Sequence, residues 1–317
     1  MAERHNHTEG AYAHQQDARM MLARHGRSFH FASHLLGRDM GDDAARLYAF
    51  CRLLDDMADG DISGGPDRLA SIRSSLCDDT APTDPALISF LPVINRCRLP
   101  RQAIIHLLDG LLADQEQVAL TDTDSLIRYS YQVAGTVGLL MCGVMRCTTP
   151  AAHRFAIDMG IAMQMTNIAR DVLEDAQMGR RYLPAEWVGG LSADDISGCA
   201  TSADSPDYLK VASAITRLLD TAEQYYRSGE AGLGFLNIRP RLAIGVAGRV
   251  YRQIGVKLAS GGTRWGHGRT VTGFGEKVTA SLPGLLLALT GRAHLRPHDS
   301  SLHTALYDML AELDMDR

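Results

Sequence analysis

The first segment whose residues could do chemistry is Tyr48–Asp59, where a phenol, a guanidinium and two carboxylates share one helical face. At about 100° per residue, Tyr48, Arg52, Asp55 and Asp59 fall within an arc of roughly 60°. Carboxylates one turn apart repel each other unless a cation neutralises them. Mg²⁺ suits this role because it binds through few carboxylates and keeps several waters. The alternative is a solvated helix face with an i,i+4 arginine–aspartate pair.

A second acidic face repeats this pattern further along the chain. Gln164, Asn167, Asp171 and Asp175 fall within an arc of roughly 80°, and Arg170 lies at its edge. If the two faces meet across a helical bundle, they enclose metal ions with an anion between them. Diphosphate fits this arrangement, because its oxygens bridge the ions and arginines bind the remainder. Two independent solvated faces are the alternative.

Such a site would neutralise a departing diphosphate. An allylic substrate would then leave a carbocation, which water destroys, so the pocket beneath must be dry and apolar. The apolar residues that could form the walls of this pocket could instead pack helices against each other. The candidate wall residues are Val133, Ala134, Val137, Leu140, Met141, Val144, Ile157, Met159, Ile161, Met163 and Met165. Gly135 and Gly138 would let another backbone approach closely.

The elements that must position these residues are helices, because helical periodicity dominates and strand signals are few. We therefore predict an all-α, single-domain helical bundle over residues 1–317, with a central apolar cavity and a flexible N-terminus over 1–13. The predicted helices are 14–25, 41–59, 66–77, 84–96, 100–119, 123–146, 150–178, 206–230, 240–260, 271–290 and 301–314. Thr149 and Pro150 begin the helix over 150–178, and Gly179 ends it. Pro/Gly/Ser-rich loops are predicted at 60–66, 78–85 and 189–206.

Composition excludes several classes of protein. The 317 residues carry a net charge of −5, so no basic field is available to bind nucleic acid. Six scattered cysteines without a Cys-x-x-Cys pair argue against a zinc framework and fit a reducing cytosol. Neither a signal-peptide core nor a membrane-spanning run is present in the sequence, and 282–289 is the most apolar short stretch. We therefore expect a cytoplasmic protein.

Together these segments resemble the squalene and phytoene synthase family from about residue 25 to 280. The matching motifs are His25–Phe29, Tyr48–Asp59, Asp109–Asp114, Tyr129–Gly138, Gln164–Pro184 and Val250–Gly255. Within the family, the pattern is most similar to the bacterial phytoene synthases of carotenoid biosynthesis.

The resemblance implies an all-α isoprenoid-synthase fold and a set of site residues. Its implied metal ligands are Asp55, Asp59, Asn167, Asp171 and Asp175. Its implied substrate contacts are His25, Gly26, Arg27, Ser28, Tyr48, Arg52, Gln164, Arg170 and Tyr251. The residues expected to serve catalysis are Asp55, Asp59, Asp171, Asp175, Tyr48 and Arg52. Mg²⁺ is the expected cofactor, with Mn²⁺ as a substitute and without NADPH.

The implied reaction joins two geranylgeranyl diphosphates head to head. A cyclopropyl (prephytoene) diphosphate forms, ionises again, rearranges and loses a proton to give phytoene. Tyr48, Tyr251 and the released diphosphate are the candidate proton acceptors. A downstream carotenoid desaturase is the expected partner, together with peripheral contact at the inner face of the membrane.

Three departures from the family pattern concern the lid and the far end of the pocket. Arg239-Pro240 replaces Leu-Pro, Thr272–Lys277 has an altered late motif, and Ser130 and Gln132 replace a cysteine and an arginine. The nearest alternative is therefore a synthase of squalene, dehydrosqualene or presqualene diphosphate that uses farnesyl diphosphate. A different class, a non-catalytic isoprenoid-binding helical protein, is disfavoured because both acidic faces are intact.

Overall fold

The computed structural model describes residues 17–24, 26–115, 118–261, 264–267 and 297–313. The predicted helix over 271–290 and the predicted flexible N-terminus over 1–13 lie outside the described residues. The predicted all-α fold is confirmed. The one extended pairing in the described part of the chain is an isolated bridge between Ala119 and Arg181.

Fourteen α-helices are described, of which α2, α10 and α11 were not predicted from the sequence. They are α1 (17–24), α2 (Arg27–Ser33), α3 (Arg38–Ala58), α4 (Gly65–Cys77), α5 (Pro85–Cys97), α6 (Arg101–Ala113), α7 (Thr123–Ser130), α8 (Thr136–Val144), α9 (Pro150–Gln177), α10 (Ala185–Val188), α11 (Ala193–Cys199), α12 (Pro206–Ala231), α13 (Ile238–Ser260) and α14 (Tyr307–Glu312). Short 3₁₀ turns cover Gly232–Phe235, Trp265–His267 and Ser300–Leu306.

Helix α9 has the predicted bounds to within one residue and lies at the centre of the packing. Pro150 occupies its first turn, and Gly179 follows it with a left-handed φ of 76°. It packs against α8, α11, α12 and α13, and residues such as Ile157, Ile161 and Met165 are fully buried. Each such side chain contributes about 1.5–3 kcal/mol of transfer free energy, so the acidic face of α9 stands on a rigid element.

Four sequence predictions are wrong in detail. The first half of the helix predicted over 301–314 is the 3₁₀ turn Ser300–Leu306, and α14 covers only Tyr307–Glu312. The helix predicted over 100–119 ends at Ala113, because the backbone of Val118 and Leu120 bonds to Arg181 instead. The loop predicted over 189–206 contains α11, which is started by a capping box between Ser192 and Asp195. The helix predicted over 123–146 is interrupted by a π-helical segment.

That π-helical segment, Tyr131–Gly135, separates α7 from α8. π-Helical turns are rare in proteins, and those that are present often lie at functional sites. The segment packs against α6 and α9. It therefore presents Val133 and Ala134 to the cavity described below.

Glycines bring the backbones of α8 and α9 unusually close. A Cβ on Gly138 would lie 2.1 Å from the Ala156 carbonyl oxygen, and a Cβ on Gly160 would lie 2.2 Å from that of Ala134. Both distances are impossible for a side chain without displacement of backbone. The close approach predicted at Gly138 is confirmed, and Gly160 supplies its counterpart on α9.

No helix in the described ranges is long and apolar enough to cross a membrane.

Candidate active site

A cavity of about 350 Å³ lies between α3, α6, the π-segment with α8, α9 and α13. Its polar residues are Tyr48, Arg52, Asp55, Asp114, Tyr129, Gln164, Asn167 and Tyr251. Its remaining walls are apolar, and the residues that form them include Leu107, Leu111, Val133, Ala134, Val137, Met141, Met145, Met159, Met163 and Ile244. The two acidic helices therefore share one cavity.

The apolar walls match part of the predicted set. Val133, Ala134, Val137, Met141, Met159 and Met163 line the cavity as predicted. Leu140, Val144, Ile157, Ile161 and Met165 are instead buried in the core, as the packing alternative required. Because both groups are apolar and helically spaced, composition alone could not separate them.

On α3, the predicted face divides between the cavity and the helix end. Tyr48, Arg52 and Asp55 line the cavity. Arg52 donates to Asp55 over 3.1 Å and also pairs with Asp56, so the i,i+4 pair is present together with the cavity site. Asp59 is the C-cap residue of α3, and its Oδ1 accepts a hydrogen bond from Nη1 of Arg180 over 2.9 Å.

On α9, Gln164 and Asn167 line the cavity, while the charged residues follow toward the C-terminal end. Arg170 pairs with Asp171 through two hydrogen bonds, and its Nε donates over 2.7 Å. Asn167 donates from Nδ2 to Gln164 over 3.3 Å. Its Oδ1 is buried and has no hydrogen-bond partner, which leaves an oxygen donor available for a ligand.

Burial and mutual repulsion raise the pKa values of two of these carboxyl groups. The pKa of Asp55 rises to about 6, first through burial and then through repulsion from Asp59. The pKa of Asp175 rises to about 7 through burial and repulsion from Asp171. Arg180 opposes both shifts. Additional positive charge would therefore stabilise the ionised site.

Mg²⁺ fits this donor set. Carboxylate and amide oxygens are its preferred ligands, and the unpartnered Asn167 Oδ1 is an oxygen that such an ion could satisfy. Among the described residues, the acidic faces form no compact group of three ligand atoms; the one such group lies elsewhere. This spacing suits an ion that retains waters and is completed by substrate oxygens.

The early turn approaches the cavity beside the two tyrosines. A Cβ on Gly26 would lie 2.9 Å from Cζ of Tyr48, so a larger residue there would displace the Tyr48 ring. Phe29 packs against Tyr251 and Tyr48, with ring centroids 5.1 and 6.3 Å apart. Burial raises the pKa of Tyr48 to about 12, so this phenol stays protonated at neutral pH. His25 and the side chains of Arg27 and Ser28 lie outside the described residues.

Four residues complete the site without having been singled out from the sequence. They are Asp114, Tyr129, Arg180 and Tyr182. The Tyr129 hydroxyl donates to Asp114 Oδ2 over 2.8 Å, and its ring stacks on Tyr182 at 4.8 Å. Burial raises the pKa of Asp114 to about 6. Their positions within the motifs Asp109–Asp114, Tyr129–Gly138 and Gln164–Pro184 were the available signal.

The fold and site define an all-α protein of the isoprenoid-synthase class, in which two acidic helices border an apolar cavity. A family model described as "Squalene/phytoene synthase" matches residues 22–276, and the chain belongs to this family. The resemblance drawn from the motifs is thereby confirmed.

Curated relatives agree with this assignment. The chain is 36% identical over 282 residues to a 15-cis-phytoene synthase of Enterobacter agglomerans, covering 84% of this chain and 92% of the relative. It is 32% identical over 309 residues to a phytoene synthase of Rhodobacter capsulatus, covering 92% and 89%.

Solved structures share the fold. A dehydrosqualene synthase in complex with ligand superposes with a TM-score of 0.74 at 22% identity, covering 89% of this chain and 99% of that one. A squalene synthase from Alicyclobacillus acidocaldarius gives a TM-score of 0.67 at 22% identity, covering 78% and 94%.

Proposed function

We propose that this protein condenses two molecules of geranylgeranyl diphosphate head to head, giving phytoene through a cyclopropyl diphosphate and without a reductant. The observation that carries the proposal is a cavity with acids and an arginine among its polar residues and apolar walls elsewhere. Such a cavity matches a substrate with a charged head and a hydrocarbon tail. The phytoene synthases among its relatives support the choice of substrate.

The polar residues would bind and orient the diphosphate head. Arg52 lines the cavity on α3 and Arg170 pairs with Asp171 on α9, so each acidic face has a guanidinium beside it.

The residues that would hold Mg²⁺ are Asp55, Asp59, Asn167, Asp171 and Asp175. When bound, the ion would neutralise the negative charge that develops on the departing diphosphate. Gln164 and Asn167 line the cavity beside these acids and would orient the diphosphate. Tyr48 and Tyr251 border the same space, and the protonated Tyr48 hydroxyl offers a hydrogen bond to a phosphate oxygen.

The apolar walls would protect the carbocation from water while the second molecule attacks it through the double bond next to its own diphosphate, and loss of a proton closes the cyclopropyl ring. Along α9 the lining residues extend from Asn167 to Ala156, a distance of about 16 Å at 1.5 Å per residue. The hydrocarbon chains would lie along this length, with their diphosphates at the Asn167 end.

The last step releases a proton, and Asp114 with Tyr129 is a suitable acceptor. Both residues line the cavity, and the Tyr129 hydroxyl donates to Asp114 over 2.8 Å. When the phenol accepts a proton from the carbocation, it can therefore pass its own proton to Asp114. The raised pKa of Asp114, about 6, makes it a stronger base than an ordinary aspartate.

The test is incubation of the purified protein with Mg²⁺ and either geranylgeranyl or farnesyl diphosphate, without nicotinamide, followed by mass analysis of the hydrocarbon. A 40-carbon product from the longer substrate supports the proposal. A 30-carbon product, or a presqualene-type diphosphate, would retain the mechanism and replace the substrate. Binding of diphosphate without any product would indicate the non-catalytic class.

We also propose peripheral contact with the inner face of the cytoplasmic membrane and delivery of product to a carotenoid desaturase, because substrate and product are both lipids. Co-sedimentation with anionic lipid vesicles tests the first part. Recovery of the protein entirely in the supernatant would oppose it.

A further inference from the structure

A buried cluster of one carboxylate and two imidazoles lies away from the cavity. Asp158 is fully buried, and the His298 and His303 side chains are only 7% and 4% exposed. Nε2 of His298 lies 2.8 Å from one carboxylate oxygen, and Nε2 of His303 lies 2.7 Å from the other. Ser228 on α12 also donates to Asp158, over 2.5 Å.

The cluster is separate from the site described above. Asp158 points about 180° away from the cavity-lining face of α9 at 100° per residue. His298 packs edge-on against Phe155, with ring centroids 5.1 Å apart. The cluster thus joins α9 and α12 to the C-terminal segment 298–303, which includes the start of the 3₁₀ turn Ser300–Leu306.

The donor set is that of a transition-metal site. The three ligand atoms lie within 4.8 Å of one another, and within the described ranges they form the one such group of three. Two imidazoles and a carboxylate are typical ligands of Zn²⁺ and related ions, whereas Mg²⁺ prefers oxygen. Zinc–ligand bonds of about 2.0–2.2 Å would require the hydrogen-bonded atoms to separate by only about half an ångström.

A second observation indicates that hydrogen bonding alone leaves the cluster unsatisfied. Nδ1 of His298 and Nδ1 of His303 are both buried without a hydrogen-bond partner. Buried polar atoms of this kind are uncommon, and a missing ion or water is one physical explanation. Because Nδ1 lies across each ring from Nε2, an ion held by Asp158 and the two Nε2 atoms would leave these Nδ1 atoms as they are, and the evidence for the ion is the geometry of the three ligand atoms.

We propose that Asp158, His298 and His303 form a structural binding site for one Zn²⁺-class divalent ion, which fastens the C-terminal segment to α9. Binding there would stabilise the folded protein, because the unfolded chain does not hold the three ligands together. The proposal does not depend on the identity of the isoprenoid substrate.

The test uses Co²⁺ as a spectroscopic probe on the full chain, with excess Mg²⁺ present to occupy the oxygen-rich site. A His5→Gln/His7→Gln background removes two further histidines near the N-terminus. We expect one equivalent of Co²⁺ with visible absorption bands, its displacement by Zn²⁺, and a melting temperature raised by several degrees with either ion.

Matched variants locate the ion. His298→Gln and Asp158→Asn should lose the bound Co²⁺, whereas His34→Gln, at an exposed histidine, and Asp171→Asn, on the acidic face of α9, should retain it. Absence of Co²⁺ and Zn²⁺ binding by the parent chain would overturn the proposal, and this measurement stands even if a variant fails to fold. Retention of the bands in both His298→Gln and Asp158→Asn would also overturn it.

Discussion

Arg180 and Asp59 form an ion pair, with 2.9 Å between Nη1 and Oδ1, that joins the end of α3 to the turn after α9. Arg180 also opposes the rise in the pKa values of Asp55, Asp114 and Asp175. One cation outside the predicted acidic faces thus acts on both of them.

Replacing Arg180 with Gln should therefore impair the whole acidic site. We expect turnover at neutral pH to fall at least about tenfold, the Mg²⁺ requirement to increase, and the acidic limb of the pH profile to move to higher pH. Initial rates against Mg²⁺ and pH measure this. Arg227→Gln, at an exposed arginine, is the control, and an unchanged pH profile would contradict the argument.

Asp55→Asn and Asp171→Asn should each abolish turnover while the helical fold is retained. Each change keeps the size of the side chain but removes a charge that the metal and diphosphate require. Product formation and far-ultraviolet circular dichroism report the two properties separately. Asp61→Asn, in the exposed loop after α3, should remain active. Normal turnover in either test variant would exclude the proposed metal site.

Asp114→Asn should lose activity and gain stability. The raised pKa means that the folded protein favours the protonated acid, so the contribution of Asp114 to stability is present at low pH and lost as pH rises through about 6. Removing the charge should then stabilise the protein at pH 8 by on the order of 1 kcal/mol, after allowance for solvent screening. Turnover of the parent should rise with pH through about 6. Denaturant titrations at pH 5 and pH 8 measure the stability of Asp114→Asn relative to the parent. A variant that merely disturbs packing would be less stable than the parent at both pH values.

Gly160→Ala should destabilise the protein, because its Cβ would meet the Ala134 carbonyl oxygen at 2.2 Å. Overpacking of this kind costs about 1–3 kcal/mol. Gly198→Ala in α11 is the matched control, since nothing lies within 4 Å of its Cβ and alanine favours the helix there. Equal denaturation midpoints for the two variants would show that the α8–α9 contact tolerates displacement.

Ala156→Phe should shorten the accepted hydrocarbon. Ala156 lines the cavity about 16 Å along α9 from Asn167, at the end away from the proposed diphosphate site. A phenyl ring there should reduce use of the 20-carbon substrate more than that of the 15-carbon substrate. Competition between both substrates measures the ratio, with Ala156→Ser as the size-conserving control. An unchanged ratio would place the chain ends elsewhere.

The sequence by itself determined the helices and their polar faces, because helical spacing is a local property. Tyr48, Arg52 and Asp55 could be placed on one face of α3, and Gln164 and Asn167 on one face of α9, from residue numbers alone. The motifs also identified the family.

Tertiary structure alone decided which residues meet across the cavity. Asp114, Tyr129 and Arg180 come from three separate parts of the chain, and their contacts depend on how α6, α7 and the turn after α9 pack. The raised pKa values arise from burial, which spacing does not specify. For the same reason, apolar residues such as Met141 and Leu140 could be recognised as buried, but only packing separated cavity wall from core.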